Sequence, residues 1–270
     1  MAKAQRSLAN ELKNVDAVVV LGDARAVVRS VSGDFLKHFA GKRLVYAFNK
    51  SSLADEQAIA GFKKTMAEKD GYFFIDCKTR EGIKQFSSHL LAMKNNFRYE
   101  REVRAMIVGI PNVGKSMLIN TLAGRNANKI ANTPGVTRSN KWLRIEGSFY
   151  LLDTPGILSP KFDNEDDGMV LASIGSVKDT IFDKTELAES MAFFLARRYP
   201  HLLEARYKIS PGIIGSATPI ELIEEIGKRR GFVQKGAVVD FERAANTLFD
   251  EFKNGVIGKI AFDFPQEDRF

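Results

Sequence analysis

Cysteine is nearly absent: Cys77 is alone among 270 residues. No disulfide can close within the chain, and one thiol with three histidines is a poor donor set for an ordinary zinc site. This usage predicts a reducing compartment. Long apolar runs are missing too. No stretch reaches the roughly 18 apolar residues of a membrane span, and the opening MAKAQRSLANELKNVDAVVV lacks a secretory cleavage pattern. The expected location is cytoplasmic, with no membrane partner. Repeats and low-complexity tracts are absent as well. Acidic residues fall short of basic ones, 33 against 40, which leaves a net charge of +7. That excess suits a phosphate-rich partner without proving one. With 44% apolar and 27% charged residues the composition is that of a folded chain, and its length fits one large domain or two ordinary ones.

Short apolar runs recur as buried strands are expected to: Ala17 to Leu21, Leu44 to Phe48, Tyr72 to Ile75 and Ala105 to Val108. Helical spacing fills the gaps. Ile59, Phe62 and Met66 mark one helix; Ile83, Phe86, Leu90 and Met93 mark another. Residues 3–15 carry a similar pattern before the first strand. Strands alternating with helices predict an α/β fold with a mostly parallel sheet covered on both faces. Trp142 to Ile145 and Phe149 to Leu152 flank Glu146-Gly147-Ser148, a hairpin signal that predicts an antiparallel edge. From about residue 169 strand signals thin out. Helices are expected over Glu186 to Arg198, Pro219 to Arg230, and Phe241 to Phe252, the last with Asp240 as N-cap and Gly255 as stop. The expected domains are 1–168 and 169–270, the second a small all-α domain.

Gly109-Ile110-Pro111-Asn112-Val113-Gly114-Lys115-Ser116 follows a strand and precedes a helix over Met117 to Leu122, stopped by Gly124. Glycines let successive backbone N–H groups curl around a phosphate, and a helix N-terminus adds partial positive charge. Lys115 is expected to reach the β and γ phosphates, and the Ser116 hydroxyl to ligate Mg²⁺. Asp153-Thr154-Pro155-Gly156 follows the next apolar strand. Asp153 can hold the same ion through water, and the Gly156 N–H can meet the γ-phosphate. Between them, Asn132 to Arg138 is rich in Asn, Gly and Thr, as a nucleotide-gated switch requires. Thr137 is the better candidate to complete the Mg²⁺ shell, Thr133 the alternative. Lys115, Thr137 and Gly156 are therefore the candidate catalytic residues.

Asn49-Lys50-Ser51-Ser52 ends the second strand. A strand ending in Asn-Lys-x-Asp reads guanine in GTPases: Asn at the Hoogsteen edge, Lys along the ring, Asp on N1 and N2. Asp76-Cys77-Lys78 ends the next strand, where a backbone N–H can contact guanine O6. The usual order puts the phosphate loop first and the base reader last. Here the base reader comes first, which is a circular permutation, and parallel-sheet domains tolerate one when the cuts fall in exposed loops.

The order NKSSLAD, IDCKTREG, GIPNVGKS, GVT, LLDTPGI resembles the circularly permuted GTPases of the ribosome-assembly group. The opening MAKAQRSLANELKNVDAVVVLGDAR and the segment GAVVDFERAANTLFDEFKNGVIGKI are similar to that family's N-terminal and C-terminal parts, so the resemblance covers nearly the whole chain. It implies a Rossmann-like, circularly permuted P-loop GTPase domain followed by helices, and GTP/GDP with Mg²⁺ in the site. It also implies a large (50S) ribosomal subunit precursor, with its rRNA and ribosomal proteins, as partner of a monomer. Asn49, Lys50, Ser51, Ser52, Asp76, Cys77, Asn112, Val113, Gly114, Lys115, Ser116, Met117 and Gly156 are the implied nucleotide contacts.

The chain departs from the family pattern in places. Ser52 stands where the family has Asp, and Asp76 is the candidate substitute. Ile157 follows DTPG, where many GTPases place a Gln to orient water. The family's implicated histidine lies just before the segment resembling Met1-Ala2-Lys3-Ala4 and is not in this sequence, so either translation starts further upstream or hydrolysis proceeds otherwise. His38, His89 and His201 are poor replacements. Asn112 resembles the residue that helps hold K⁺ in cation-activated GTPases. Lys228, Arg229, Arg230 and Lys235 are candidate RNA contacts, as are Arg125, Lys129, Arg138 and Lys141 near the switch. The DTPG segment runs toward the helical domain, so γ-phosphate contact at Gly156 is expected to couple to particle binding. Two readings stay open at this point: a slow GTPase switch accelerated on the ribosomal particle, and a non-hydrolysing RNA-binding module that senses nucleotide. An ATP-dependent enzyme such as a kinase is the weakest alternative.

Overall fold

The segment Ala17–Asp23 (AVVVLGD) is β-branched and apolar, and every residue of it is buried. Such a strand suits only the middle of a sheet covered on both faces. In the computed structural model, which describes residues 11–31, 33–67, 71–93, 103–124, 141–145, 149–153, 165–177 and 182–265, it is β1 of a six-stranded sheet. The others are β2 (Arg43–Asn49), β3 (Tyr72–Phe74), β4 (Val103–Gly109), β5 (Lys141–Arg144) and β6 (Phe149–Asp153), in the order β3-β2-β1-β4-β6-β5. All neighbours are parallel except β5 with β6. The expected strands and the antiparallel edge are therefore present.

Alternation along β1 divides the core. Ala17, Val19 and Leu21 face a cluster with Phe86, Leu90, Leu118 and Ile119; Val18 and Val20 face the opposite one with Phe39 and Met106. The first cluster is closed by helices α2 (Ile83–Ala92) and α3 (Lys115–Ala123). Helix α1 (Glu56–Thr65), capped by the Asp55 carboxylate, puts Phe62 against Phe48 and Phe74. The short β3 is held to β2 by aromatic pairs in register: Tyr46 stacks on Tyr72 at 4.6 Å between centroids, and Phe48 lies 5.3 Å from Phe74.

The chain divides into two compact units, Met1–Lys161 with Asp263–Phe270, and Phe162–Phe262. The sequence alone places the boundary between 168 and 169. That cut falls inside α4 (Glu165–Ser173), and the chain beyond Phe262 belongs with the first unit. The reason is chemical. Buried Asp263 accepts the amide of Val28 at 2.7 Å and of Arg29 at 3.1 Å, and pairs with the Arg29 guanidinium.

The second unit is helical: α4, α5 (Lys184–Arg198), α6 (Pro200–Tyr207), α7 (Pro211–Ser216), α8 (Pro219–Arg229) and α9 (Phe241–Lys253). The three helices expected here are present, with Asp240 accepting the Arg243 amide as N-cap of α9. The proline-started α6 and α7 were not expected. They are short and bury few residues each, so no long periodic pattern announces them. Leu187, Met191 and Leu195 of α5 and Ala245, Leu248 and Phe252 of α9 form apolar stripes at helical spacing. Among the described residues no helix is long and apolar enough to cross a membrane. Residues 3–10 of the first expected helix and the Glu146 to Ser148 turn lie outside the described residues.

Candidate functional site

Strands β1, β2, β3, β4 and β6 run the same way, so their C-terminal ends share one edge of the sheet. Asp23, Asn49, Asp76, the Gly109 loop and Asp153 all follow or close such ends. Strand order reverses direction between β1 and β4, the position where open α/β sheets form a ligand crevice.

The loop from Gly109 to Ser116 stands beside that crevice. Gly109 must be glycine because a Cβ there lies 2.2 Å from the Leu21 carbonyl oxygen. Gly114 has φ 105° and a Cβ there falls 2.3 Å from Asn49 Nδ2. Asn112 also takes positive φ, at 55°. Helix α3 begins right after, and no side chain caps its N-terminus, the end of a helix that favours an anion. Ser116 and Met117 are exposed in its first turn. Lys115 Nζ donates to the carbonyls of Gly109 at 2.9 Å and Ile110 at 2.8 Å.

Asn49 joins this loop to the others. Its Nδ2 donates to Val113 O at 2.8 Å, and its Oδ1 accepts the Cys77 amide at 3.0 Å. The partners fix the amide's orientation, since a carbonyl demands the nitrogen and an N–H the oxygen. Thus residues 49, 77 and 113, far apart in sequence, meet through one buried side chain. The sequence reading aims a backbone N–H of the Asp76-Cys77-Lys78 loop at guanine O6, but all three are engaged within the protein: Asp76 N–H with Glu81 O at 2.9 Å, Cys77 N–H with Asn49, and Lys78 N–H with Asp76 Oδ1 at 2.7 Å. The Cys77 thiol is pushed up to about 12 by burial and by the Asp76 charge, so it is no nucleophile.

Lys50 adopts a left-handed conformation, φ 61°, and its Nζ reaches Asp23 at 3.0 Å. Asp23 is fully buried and paired bidentately with buried Arg25, at 3.0 and 2.9 Å. Burial pushes this carboxyl up, but Arg25 and Lys50 outweigh it and hold it at about 2. Sequence reasoning missed Asp23 and Arg25. The available signal was a carboxylate closing an otherwise wholly apolar strand with a guanidinium two residues on. Ser51 is buried and its amide donates to Ile75 O at 3.1 Å. Ser52 donates its hydroxyl to Asp76 Oδ2 at 2.5 Å. Burial pushes the Asp76 carboxyl up, but the Ser52 hydroxyl and the Thr79, Lys78 and Ser52 amides hold it below the usual carboxylate range.

Asp153 closes β6 in register with Ile107 of β4. A hydroxyl at Ser116 and a carboxylate at Asp153 are the oxygen donors that Mg²⁺ takes. Thr133, Thr137, Gly156, Ile157 and the basic residues Arg125, Lys129 and Arg138 lie outside the described residues. Of the other basic candidates, Lys228 and Arg229 are exposed although both pair with Glu225, Arg229 Nε donating to it at 2.8 Å, and Lys235 is exposed. Arg230 instead pairs with Glu251, which also takes Arg206, and lies over the Tyr207 ring. That guanidinium is spent on internal packing. Among the described residues no group of His, Cys, Asp and Glu forms a metal cluster.

Comparison with known proteins identifies the family. Residues 104–194 match the family described as 50S ribosome-binding GTPase. The match starts in β4, just ahead of the phosphate loop, and leaves out Asn49, as the permuted order requires. The chain is 37% identical over 279 residues to the ribosome biogenesis GTPase A of Priestia megaterium, covering 99% of this chain and 95% of that one. It is 28% identical over 294 residues to mitochondrial ribosome-associated GTPase 1 of Xenopus tropicalis, covering 97% and 92%. The crystal structure of GNP-bound YlqF from T. maritima superposes with a TM-score of 0.68 at 26% identity, covering 98% of this chain and 99% of the other. The permuted order, the crevice gathered by Asn49 and the full-length likeness together place the chain in the ribosome biogenesis GTPase A family, the circularly permuted GTPases of ribosome assembly.

Proposed function

We propose that this GTPase works on a large-subunit precursor in the cytoplasm, as a monomer, with rRNA contacted in part through the exposed Lys228, Arg229 and Lys235. GTP favours the particle-binding state, and hydrolysis to GDP releases it. Arg230 is withdrawn from the RNA contacts because Glu251 and Tyr207 occupy it.

The observation that carries the site is the Asn49 carboxamide, bonded at once to the phosphate loop and to the Cys77 loop. It gives one nucleotide a base end and a phosphate end across a single crevice. The amides of Ser116 and Met117 at the start of α3 meet the phosphates, and Lys115 exchanges its loop carbonyls for β- and γ-phosphate oxygens. Lys50, held at its tip by Asp23, keeps its stem along the base. When bound, Mg²⁺ would supply positive charge to the triphosphate; Ser116 would ligate it, Asp153 would hold it through water, and Thr137, outside the described residues, would complete its shell. The N–H of Gly156, also outside the described residues, would meet the γ-phosphate. Asn112 would help hold K⁺ beside the phosphates, in which case turnover in KCl exceeds turnover in NaCl.

Single-turnover GTP hydrolysis with and without large-subunit precursor particles tests the reading. The rate rises on the particle, and Lys115→Ala abolishes both rates. Asn49→Ala, which releases both loops, weakens GDP binding by roughly 10- to 100-fold. Equal rates with and without particles, or binding to the particle that ignores the nucleotide, refute it.

A further inference from the structure

Position 52 lacks the carboxylate of an Asn-Lys-x-Asp guanine reader, yet a carboxylate lies next to it. Asp76 Oδ2 accepts the Ser52 hydroxyl at 2.5 Å and the Ser52 amide at 3.3 Å. Its Oδ1 accepts the amides of Lys78 at 2.7 Å and Thr79 at 2.8 Å. Two bonds on each oxygen fill the carboxylate's acceptor positions, and Asp76 is only 3% exposed. Asp76 therefore has nothing left to offer a base. Ser52 is the converse case. It is half-buried, and its hydroxyl proton is committed to Asp76. Toward any other group its oxygen can only accept, through its lone pairs. Both residues sit on the two loops that Asn49 ties to the phosphate loop.

We propose that Ser52 Oγ, locked as an acceptor by Asp76, is the group that selects guanine: it accepts from the N1–H and 2-amino donors of the base, and Asp76 acts as its positioning residue. This rests on the guanine-nucleotide reading above and names its specificity determinant. Guanine presents donors on that edge. Adenine presents an acceptor at N1 and a C–H at C2. A lone serine would rotate its hydroxyl to suit either base, and the carboxylate behind Ser52 removes that choice. The carboxylate and hydroxyl form one hydrogen-bonded pair across two loops, so exchanging its members keeps both the bond and an acceptor at the base edge.

The test is the dissociation constants of GDP and ADP, with Mg²⁺, for the full chain and four variants, read beside thermal unfolding. The wild type prefers GDP to ADP by roughly 100-fold or more. Ser52→Ala loses about 10-fold or more of that ratio, with ADP binding little changed. Asp76→Asn must keep its carbonyl on the Lys78 and Thr79 amides, so its amino group faces Ser52 and turns the hydroxyl into a donor. GDP then weakens and ADP gains. Ser52→Asp sets two carboxylates together and lowers GDP affinity, whereas the double variant Ser52→Asp/Asp76→Ser recovers the GDP preference. A wild-type ratio in both Ser52→Ala and Asp76→Asn, even with a lowered melting temperature, overturns the proposal and leaves Asp76 a loop staple. No GDP preference in the wild type refutes the guanine reading itself, and the proposal with it.

Discussion

Asp23 shows what one residue can decide. It is fully buried, and it holds Arg25 by two bonds and Lys50 by a third. Replacing it by Ala strips a buried guanidinium of its bidentate partner, which costs roughly 3–5 kcal/mol in comparable pairs. Urea unfolding of Asp23→Ala should show a loss of that order, and Lys50 released from its anchor should weaken nucleotide binding as well. The acid limb of stability follows from the same pair. The folded carboxyl titrates at about 2 against an ordinary 3.8. A depressed carboxyl contributes stability that is present above the unfolded value and lost as pH falls toward the folded one, here roughly 2 kcal/mol between about pH 4 and pH 2. The urea midpoint of the wild type should therefore drop through that window by more than the midpoint of Asp23→Asn does.

Elements succeed or fail on their ends. Helix α3, the proposed anion site, carries no side-chain cap on its N-terminus, and Gly114 leaves room for Asn49. Gly114→Ala puts a methyl 2.3 Å from Asn49 Nδ2 at a φ of 105°, so either the Asn49 bond to Val113 or the loop must shift. Nucleotide affinity should fall by 10-fold or more, read by GDP titration, while the far-UV spectrum stays that of the wild type. Helix α8 is the contrast. Thr218 and Glu221 close its N-terminus with a complete capping box. Thr218→Ala should cost about 1 kcal/mol in chemical denaturation and leave GTP hydrolysis without particles unchanged, because that end satisfies its own amides.

The molecule as a whole is not the two consecutive blocks its sequence reads as. Phe162–Phe262 forms one compact unit, and Asp263 returns the chain to the other. Its carboxylate satisfies the amides of Val28 and Arg29, and Pro265 fills the space above Gly61 so closely that a Cβ there lies 2.5 Å from Pro265 Cγ. Asp263→Ala leaves those amides without this acceptor and should lower stability by roughly 1–3 kcal/mol, seen as a lower melting temperature. Gly61→Val should do the same by displacing Pro265, and a wild-type melting temperature in both variants refutes the closure.

Runs such as AVVVLGD and alternating helical stripes determined by themselves that the fold is α/β with a parallel sheet and a helical remainder, because hydrophobic periodicity is local and β1 and α9 carry it within a few residues. The phosphate loop was legible for the same reason: its glycines, Lys115 and Ser116 are contiguous. Only the tertiary structure decided what crosses the chain. Asn49 meeting Val113 and Cys77, Asp23 meeting Lys50, Asp263 meeting Val28, and the proton of Ser52 being committed to Asp76 are pairings between residues up to 235 positions apart. A hydrogen bond depends on position and direction in space, and no local pattern of residues encodes either.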